Sequence, residues 1–272
     1  MKTHPVKHPL QNDFYGDWAV TAIQEMFPTF CSDLIIYTDD IIYSRKLEVF
    51  RGSKILIIGG GPSSQLMPTV ADIRRCYDDV WSMNNFFMNA KLSYIPMSLL
   101  MFGANTQLSD PRLGEYIEKH KPYLVFEPHP KYGVTKTVGH YKNPDWNNAR
   151  RLVNAQQYNH LKCACQTAFW SRIGIGARML VLAGHLQAKL VHFIGIDGFT
   201  SYKTGNHYFE KGKGPETLPS SIQAMPENTA KAVYLEEYRQ LAEELHTFKG
   251  VTSYKNLGSE HKLNDIGDML DQ

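Results

Sequence analysis

The stretch Lys54-Ile55-Leu56-Ile57-Ile58-Gly59-Gly60-Gly61-Pro62-Ser63-Ser64 constrains this chain more than any other. Ile55 to Ile58 is a continuous apolar run, the pattern of a strand buried on both faces of a parallel sheet. The glycines that follow permit backbone angles closed to other residues and a close approach of a ligand to the main chain. Pro62 is pre-set to begin a helical turn. The free amides of such a turn point back at the loop and suit a phosphate. The loop is not G-x-G-x-x-G, because Ser64 stands three positions after Gly61, and it lacks the Lys-Ser/Thr ending of a P-loop. A tight strand-to-helix turn without a ligand therefore stays open beside the anion cradle.

A second unit repeats the logic. Gly174-Ile175-Gly176 precedes a helix with Met179, Leu180, Leu182, Ala183 and Leu186 apolar, and then the strand Leu190-Val191-His192-Phe193-Ile194, which exits through Gly195-Ile196-Asp197-Gly198. In an open α/β sheet the ligand crevice lies at the carboxyl ends of the strands, where Asp197 is delivered. Asn84, at the end of the strand Asp79-Val80-Trp81-Ser82-Met83, either hydrogen-bonds a base or ribose or caps the next turn. His192, inside its strand, reads as a packed histidine.

These units predict an α/β fold: a Rossmann-like, mostly parallel sheet with helices on both faces and a lid-like insertion. Residues 1–52 read as an N-terminal arm, helix and short strands. Residues 53–272 read as the nucleotide-binding domain, with loop insertions at about 128–160 and 198–228. Within it we expect a helix over 65–75, a third strand in 91–99, a helix from Asp110-Pro111 with Leu113, Tyr116 and Ile117 inward, and a strand at Tyr123-Leu124-Val125-Phe126. A long helix over 229–247 and an edge strand over 251–256 close the chain.

At 272 residues, with 43% hydrophobic and 21% charged residues, the chain can bury a substantial core. Its net charge of +2 gives no bulk drive toward nucleic acid. Cysteines at 31, 76, 163 and 165 make no disulfide framework, and Cys163-Ala164-Cys165 lacks zinc spacing. No metal site is expected. Without an apolar leader or a membrane-length apolar run, a cytoplasmic location is expected.

Ile57-Ile58-Gly59-Gly60-Gly61-Pro62-Ser63, the strand end Trp81-Ser82-Met83-Asn84, and the unit from Gly174 to Tyr208 around Gly195-Ile196-Asp197 together resemble the bacterial sialyltransferases of glycosyltransferase family 42. The same skeleton is similar to the MptE-like 6-hydroxymethylpterin diphosphokinase family. The resemblance covers about residues 53 to 255. It implies a glycosyltransferase that holds a CMP-sugar without a metal or a permanently bound cofactor, the nucleotide sugar being a substrate. Donor contacts would come from Gly59, Gly60, Gly61, Pro62, Ser63, Asn84 and Asn105, with Gly174, Ile175, Gly176 and Asp197 also against the nucleotide. Two family tyrosines help the phosphate leave; Tyr208 matches one and Tyr202 falls near the other, beside Lys203. Phenols or a cation stabilise the charge a leaving phosphate gains.

The chain departs from that pattern in three places. Gly60 stands where the family often has Asn, Phe199 falls near the first tyrosine, and Met225-Pro226-Glu227-Asn228-Thr229 lacks the family's basic histidine ahead of the last long helix. A hydroxyl acceptor needs a base within reach, for which His207 or Glu227 is the candidate. The leading expectation is a glycosyltransferase using a CMP- or UDP-sugar, its acceptor open between a glycan, a protein hydroxyl and a modified nucleic-acid base. The alternatives are an MptE-like pyrophosphokinase, an S-adenosylmethionine methyltransferase and a non-catalytic nucleotide-binding module. Whether the chain forms a homo-oligomer is not readable.

Overall fold

A computed structural model of the chain describes residues 47–102, 110–126, 162–165, 173–199 and 224–272. Its strands are β1 (Lys54–Ile58), β2 (Asp79–Met83), β3 (Leu99–Phe102), β4 (Tyr123–Phe126), β5 (Lys162–Cys165), β6 (Leu190–Ile194) and β7 (Ser253–Asn256). The helices are α1 (Val70–Cys76), α2 (Pro111–His120), α3 (Ile175–His185) and α4 (Glu227–His246). The strands form one seven-stranded sheet in the order β5-β4-β3-β2-β1-β6-β7, and every neighbouring pair is parallel. This is the α/β Rossmann-like sheet that the buried run at Ile55–Ile58 predicts.

Side chains alternate between two cores. Ile55, Ile57, Trp81, Leu99, Met101 and Val125 pack with α3 and α4 on one face. Leu56, Ile58, Val80, Leu100 and Leu124 pack with Ile73 of α1 and with Leu113, Tyr116 and Ile117 of α2 on the other. Helices thus cover both faces.

Several elements start where local chemistry dictates. Asp110 caps α2, accepting the Arg112 amide at 2.9 Å, with Pro111 first in the helix. The helix expected over 65–75 is instead a short 3-10 turn, Pro62–Leu66, followed by α1. Pro68 forces Met67 to extended angles (φ −55°, ψ 146°), and Thr69 then caps α1 by accepting the Asp72 amide at 3.2 Å. The third strand begins at Leu99, later than expected, because the Tyr116 hydroxyl fastens the preceding turn, donating to the Ile95 carbonyl at 2.5 Å and accepting the Met97 amide at 2.7 Å. His192 is the packed histidine expected, hydrogen-bonded to the Tyr77 hydroxyl at 2.7 Å.

The arm before residue 47 lies outside the described residues, as do residues 127–161 and 200–223, which hold nearly all of both expected insertions.

Candidate functional site

Winding reverses between β1 and β6, which puts the switch point of the sheet at their carboxyl ends. The two exits there are bound to each other. The Gly59 amide donates to the Ile194 carbonyl and the Gly61 amide to the Gly195 carbonyl, each at 2.8 Å. Neither glycine needs an unusual φ; what each needs is space. A methyl group on Gly59 would strike the Gly195 carbonyl, and one on Gly61 would lie 2.5 Å from Asp197 Oδ2 and 2.7 Å from the Gly195 oxygen. The closeness of the two loops accounts for both glycines.

Ser63 and Asp197 complete this tie. The Ser63 amide donates to Asp197 Oδ2 at 2.7 Å and its hydroxyl to Oδ1. Ser63 Oγ in turn accepts the Gly195 amide at 2.8 Å. Asp197 is 4% exposed. Burial pushes its carboxyl up to about 6, against the lowering effect of the Ser63 bonds and of the His261 imidazole, with Asp265 adding to the rise. Ser63, expected to cradle a phosphate, has its amide and hydroxyl taken up by Asp197. The amide at the start of the turn already holds a carboxylate of the chain itself, which satisfies the orphan donor that would otherwise draw an anion. Asp197, expected to look toward a nucleotide, turns to Ser63.

The second junction meets the first. Gly176, near the start of α3, and Gly59 both abut Ile196: methyl groups on them would lie 3.0 and 3.2 Å from its side chain. Ile175 is buried beside Gly176. Gly174 caps α3 at φ 93°, in the left-handed half of backbone space, and no atom lies within 4 Å of where its Cβ would stand. Its conformation, not crowding, calls for glycine there. Arg178, one turn into α3, is 3% exposed.

Ile58 is level with Ser82 on one side and Ile194 on the other. Beyond it the two exits slip by one residue, the Gly61 amide meeting the Gly195 carbonyl where an unbroken register would give Ile196, and Asn84 follows directly after β2. Gly60 and Asn84 are both half-exposed. Asn84 has φ 48°, an angle that asparagine tolerates better than most residues. The strand exits therefore gather Gly59, Gly60, Gly61, Asn84, Gly176 and Ile196 at one end of the sheet, Gly60 and Asn84 partly exposed and the others buried with Pro62, Ser63 and Asp197. Glu227 is exposed at the first residue of α4. Asn105, Tyr202, His207 and Tyr208 lie outside the described residues.

One part of the rim had no sequence expectation. After β7 the chain turns back over the switch point. Gly258 packs so tightly on Ser63 that a methyl group would overlap its hydroxyl. The Asp265 amide donates to the Asp197 carbonyl at 2.8 Å, and the Asp265 carboxylate pairs with Lys231 of α4 at 3.2 Å. Between these anchors sits His261. The signal was present: Asn256 and Asn264 fold their side chains onto nearby backbone, Asn256 Oδ1 accepting the Gly258 amide at 2.9 Å and Asn264 Nδ2 donating to the Gly258 carbonyl at 2.9 Å. Asparagines beside glycine mark such turns.

Among the described residues no group of three or more His, Cys, Asp or Glu side chains is placed to hold a metal, and no helix is long and apolar enough to cross a membrane.

No family model and no curated protein matches the chain. Among solved structures it is similar to a point variant of the sialyltransferase CST-II in complex with CMP, at 12% identity and TM-score 0.44, over 81% of this chain and 88% of that one. It is similar to a point variant of the alpha-2,3/8-sialyltransferase CstII at 14% identity and TM-score 0.40, over 80% and 89%. A third is CST-II with a trisaccharide acceptor and CMP, at 12% identity and TM-score 0.41, over 80% and 88%. At these scores the likenesses bear on neither the ligand nor the reaction of this chain.

Proposed function

We propose that the chain is a transferase that binds a nucleotide-activated sugar at the β1–β6 switch point and passes the sugar to a hydroxyl acceptor. The observation that supports this is the meeting of two glycine junctions on Ile196, with Asn84 at the neighbouring exit of β2. The Gly60 backbone and the N-terminus of α3 after Gly174 supply amide dipoles suited to a phosphate. Asn84 supplies a side-chain amide that can both donate to and accept from a base or ribose. Ser63 and Asp197 hold the two loops in register behind that surface.

When the sugar leaves, the bond from its anomeric carbon to the phosphate oxygen breaks and the electron pair stays on the phosphate. Tyr202, Lys203 and Tyr208 are the proposed donors to that charge. The acceptor hydroxyl loses its proton to His207 or Glu227 as it attacks. In its finer form the proposal is a sialyltransferase-like enzyme taking a CMP-sugar.

A thermal-shift screen of CMP, UDP, ATP and S-adenosylmethionine tests it, because a ligand that binds only the folded state stabilises it by mass action. A rise with CMP or UDP is expected; a rise with S-adenosylmethionine alone contradicts it.

A further inference from the structure

His261 follows β7 and rides on a segment fastened to the switch point at both ends. At one end Gly258 packs on Ser63; at the other the Asp265 amide bonds the Asp197 carbonyl at 2.8 Å. Between them the His261 amide donates to the Gly258 carbonyl at 3.0 Å, and the Asn264 amide to the His261 carbonyl at 2.8 Å. The imidazole is thereby held near the Asp197 carboxylate, close enough to lower it. It remains half-exposed.

The ring itself is oriented. Nδ1 accepts the Leu263 amide at 3.2 Å. A nitrogen that accepts this bond is not the one carrying the proton, so the geometry sets the ring's N–H on Nε2. Among the described residues Nε2 has no hydrogen-bond partner, which leaves its hydrogen for a ligand. The charged groups near it include Asp197 at the end of β6, Glu260, Lys262 and Asp265 on its own segment, and Lys231 reaching Asp265 from α4.

We propose that His261 is a ligand-contacting residue of the crevice, donating a hydrogen bond from Nε2 to a phosphate oxygen of the bound nucleotide, and that Leu263 and Asp197 are its positioning partners. A phosphate is the ligand chemistry that fits, since the amide-lined rim of Gly60 and the start of α3 favours an anion. The inference rests on the nucleotide-binding reading and adds a residue to it, 34 positions beyond Glu227.

The test compares CMP with cytidine, which lacks the phosphate, by calorimetry on the whole chain and on His261→Ala and His261→Gln. His261→Ala is expected to weaken CMP about tenfold, as one charge-assisted hydrogen bond does, and to leave cytidine unchanged. His261→Gln, which keeps an N–H donor, is expected to restore most of the affinity. An equal loss for both ligands, or none for CMP, overturns the proposal. If the wild-type chain binds neither ligand, the nucleotide reading fails, and the His261 inference is judged on its own by nitrogen-15 NMR of the ring with inorganic pyrophosphate. An Nε2–H tautomer whose signals move with pyrophosphate upholds it. An Nδ1–H tautomer, or no movement, overturns it.

Discussion

Ser63 gives both its amide and its hydroxyl hydrogen to the carboxylate of Asp197, 134 positions later in the chain. That pair, with the Gly195 amide on Ser63 Oγ, locks the exits of β1 and β6 together. Ser63→Ala would leave the Gly195 amide and one Asp197 oxygen buried without a partner. It is expected to lower stability by about 2–4 kcal/mol, the cost of orphaning such groups. Urea unfolding measures this, and a loss below about 0.5 kcal/mol, the range of ordinary surface changes, would mean that the tie is not structural.

Asp197 and His185 pull stability in opposite directions over the same pH range. Burial raises Asp197 to about 6, above the ordinary value near 4. The native state therefore holds its proton more tightly, and that contribution is full below about pH 4 and lost as pH rises through about 6. Burial lowers His185 to about 4, below the ordinary value near 6.5. Its contribution is present above about pH 6.5 and lost as pH falls through about 4. Asp197→Asn should leave melting temperatures that fall more steeply on acidification than in the wild type. His185→Leu should leave the reverse slope. Melting curves from pH 4 to 7 that keep the wild-type slope in both variants would contradict the burial of these groups.

Gly184 lies inside α3, where alanine is normally preferred by about 1 kcal/mol. Here a methyl group would overlap the Phe248 ring and lie 2.5 Å from the Tyr254 hydroxyl, which itself donates to the Leu180 carbonyl at 3.1 Å. Overpacking of this kind costs about 1–3 kcal/mol and outweighs the helix gain. Gly184→Ala is expected to lower the melting temperature; a rise would show that β7 and the segment before it yield more readily than their packing implies.

The sheet was legible because Ile55–Ile58 carries the run of apolar residues that burial on both faces demands, and because Asp110-Pro111 is a complete helix start. The start of α1 was hidden by a helical spacing that Pro68 overrides. The glycines were legible as a close approach, but not what approaches: only three-dimensional pairing reveals that Gly61 faces Asp197 and Gly59 faces Gly195. His261 escaped the sequence reading because it stands after β7, far beyond the family's histidine position ahead of the last long helix. A return over the switch point leaves no periodic trace in the sequence.

The most direct measurement of the central claim is calorimetric titration of CMP and UDP into the wild-type chain and Asn84→Gly. Glycine keeps the backbone at φ 48° without strain and removes only the side-chain amide. The account predicts that the wild type binds one of the two nucleotides and that Asn84→Gly binds it about tenfold more weakly. Wild-type protein that binds neither, or a variant that binds as tightly as the wild type, would contradict it.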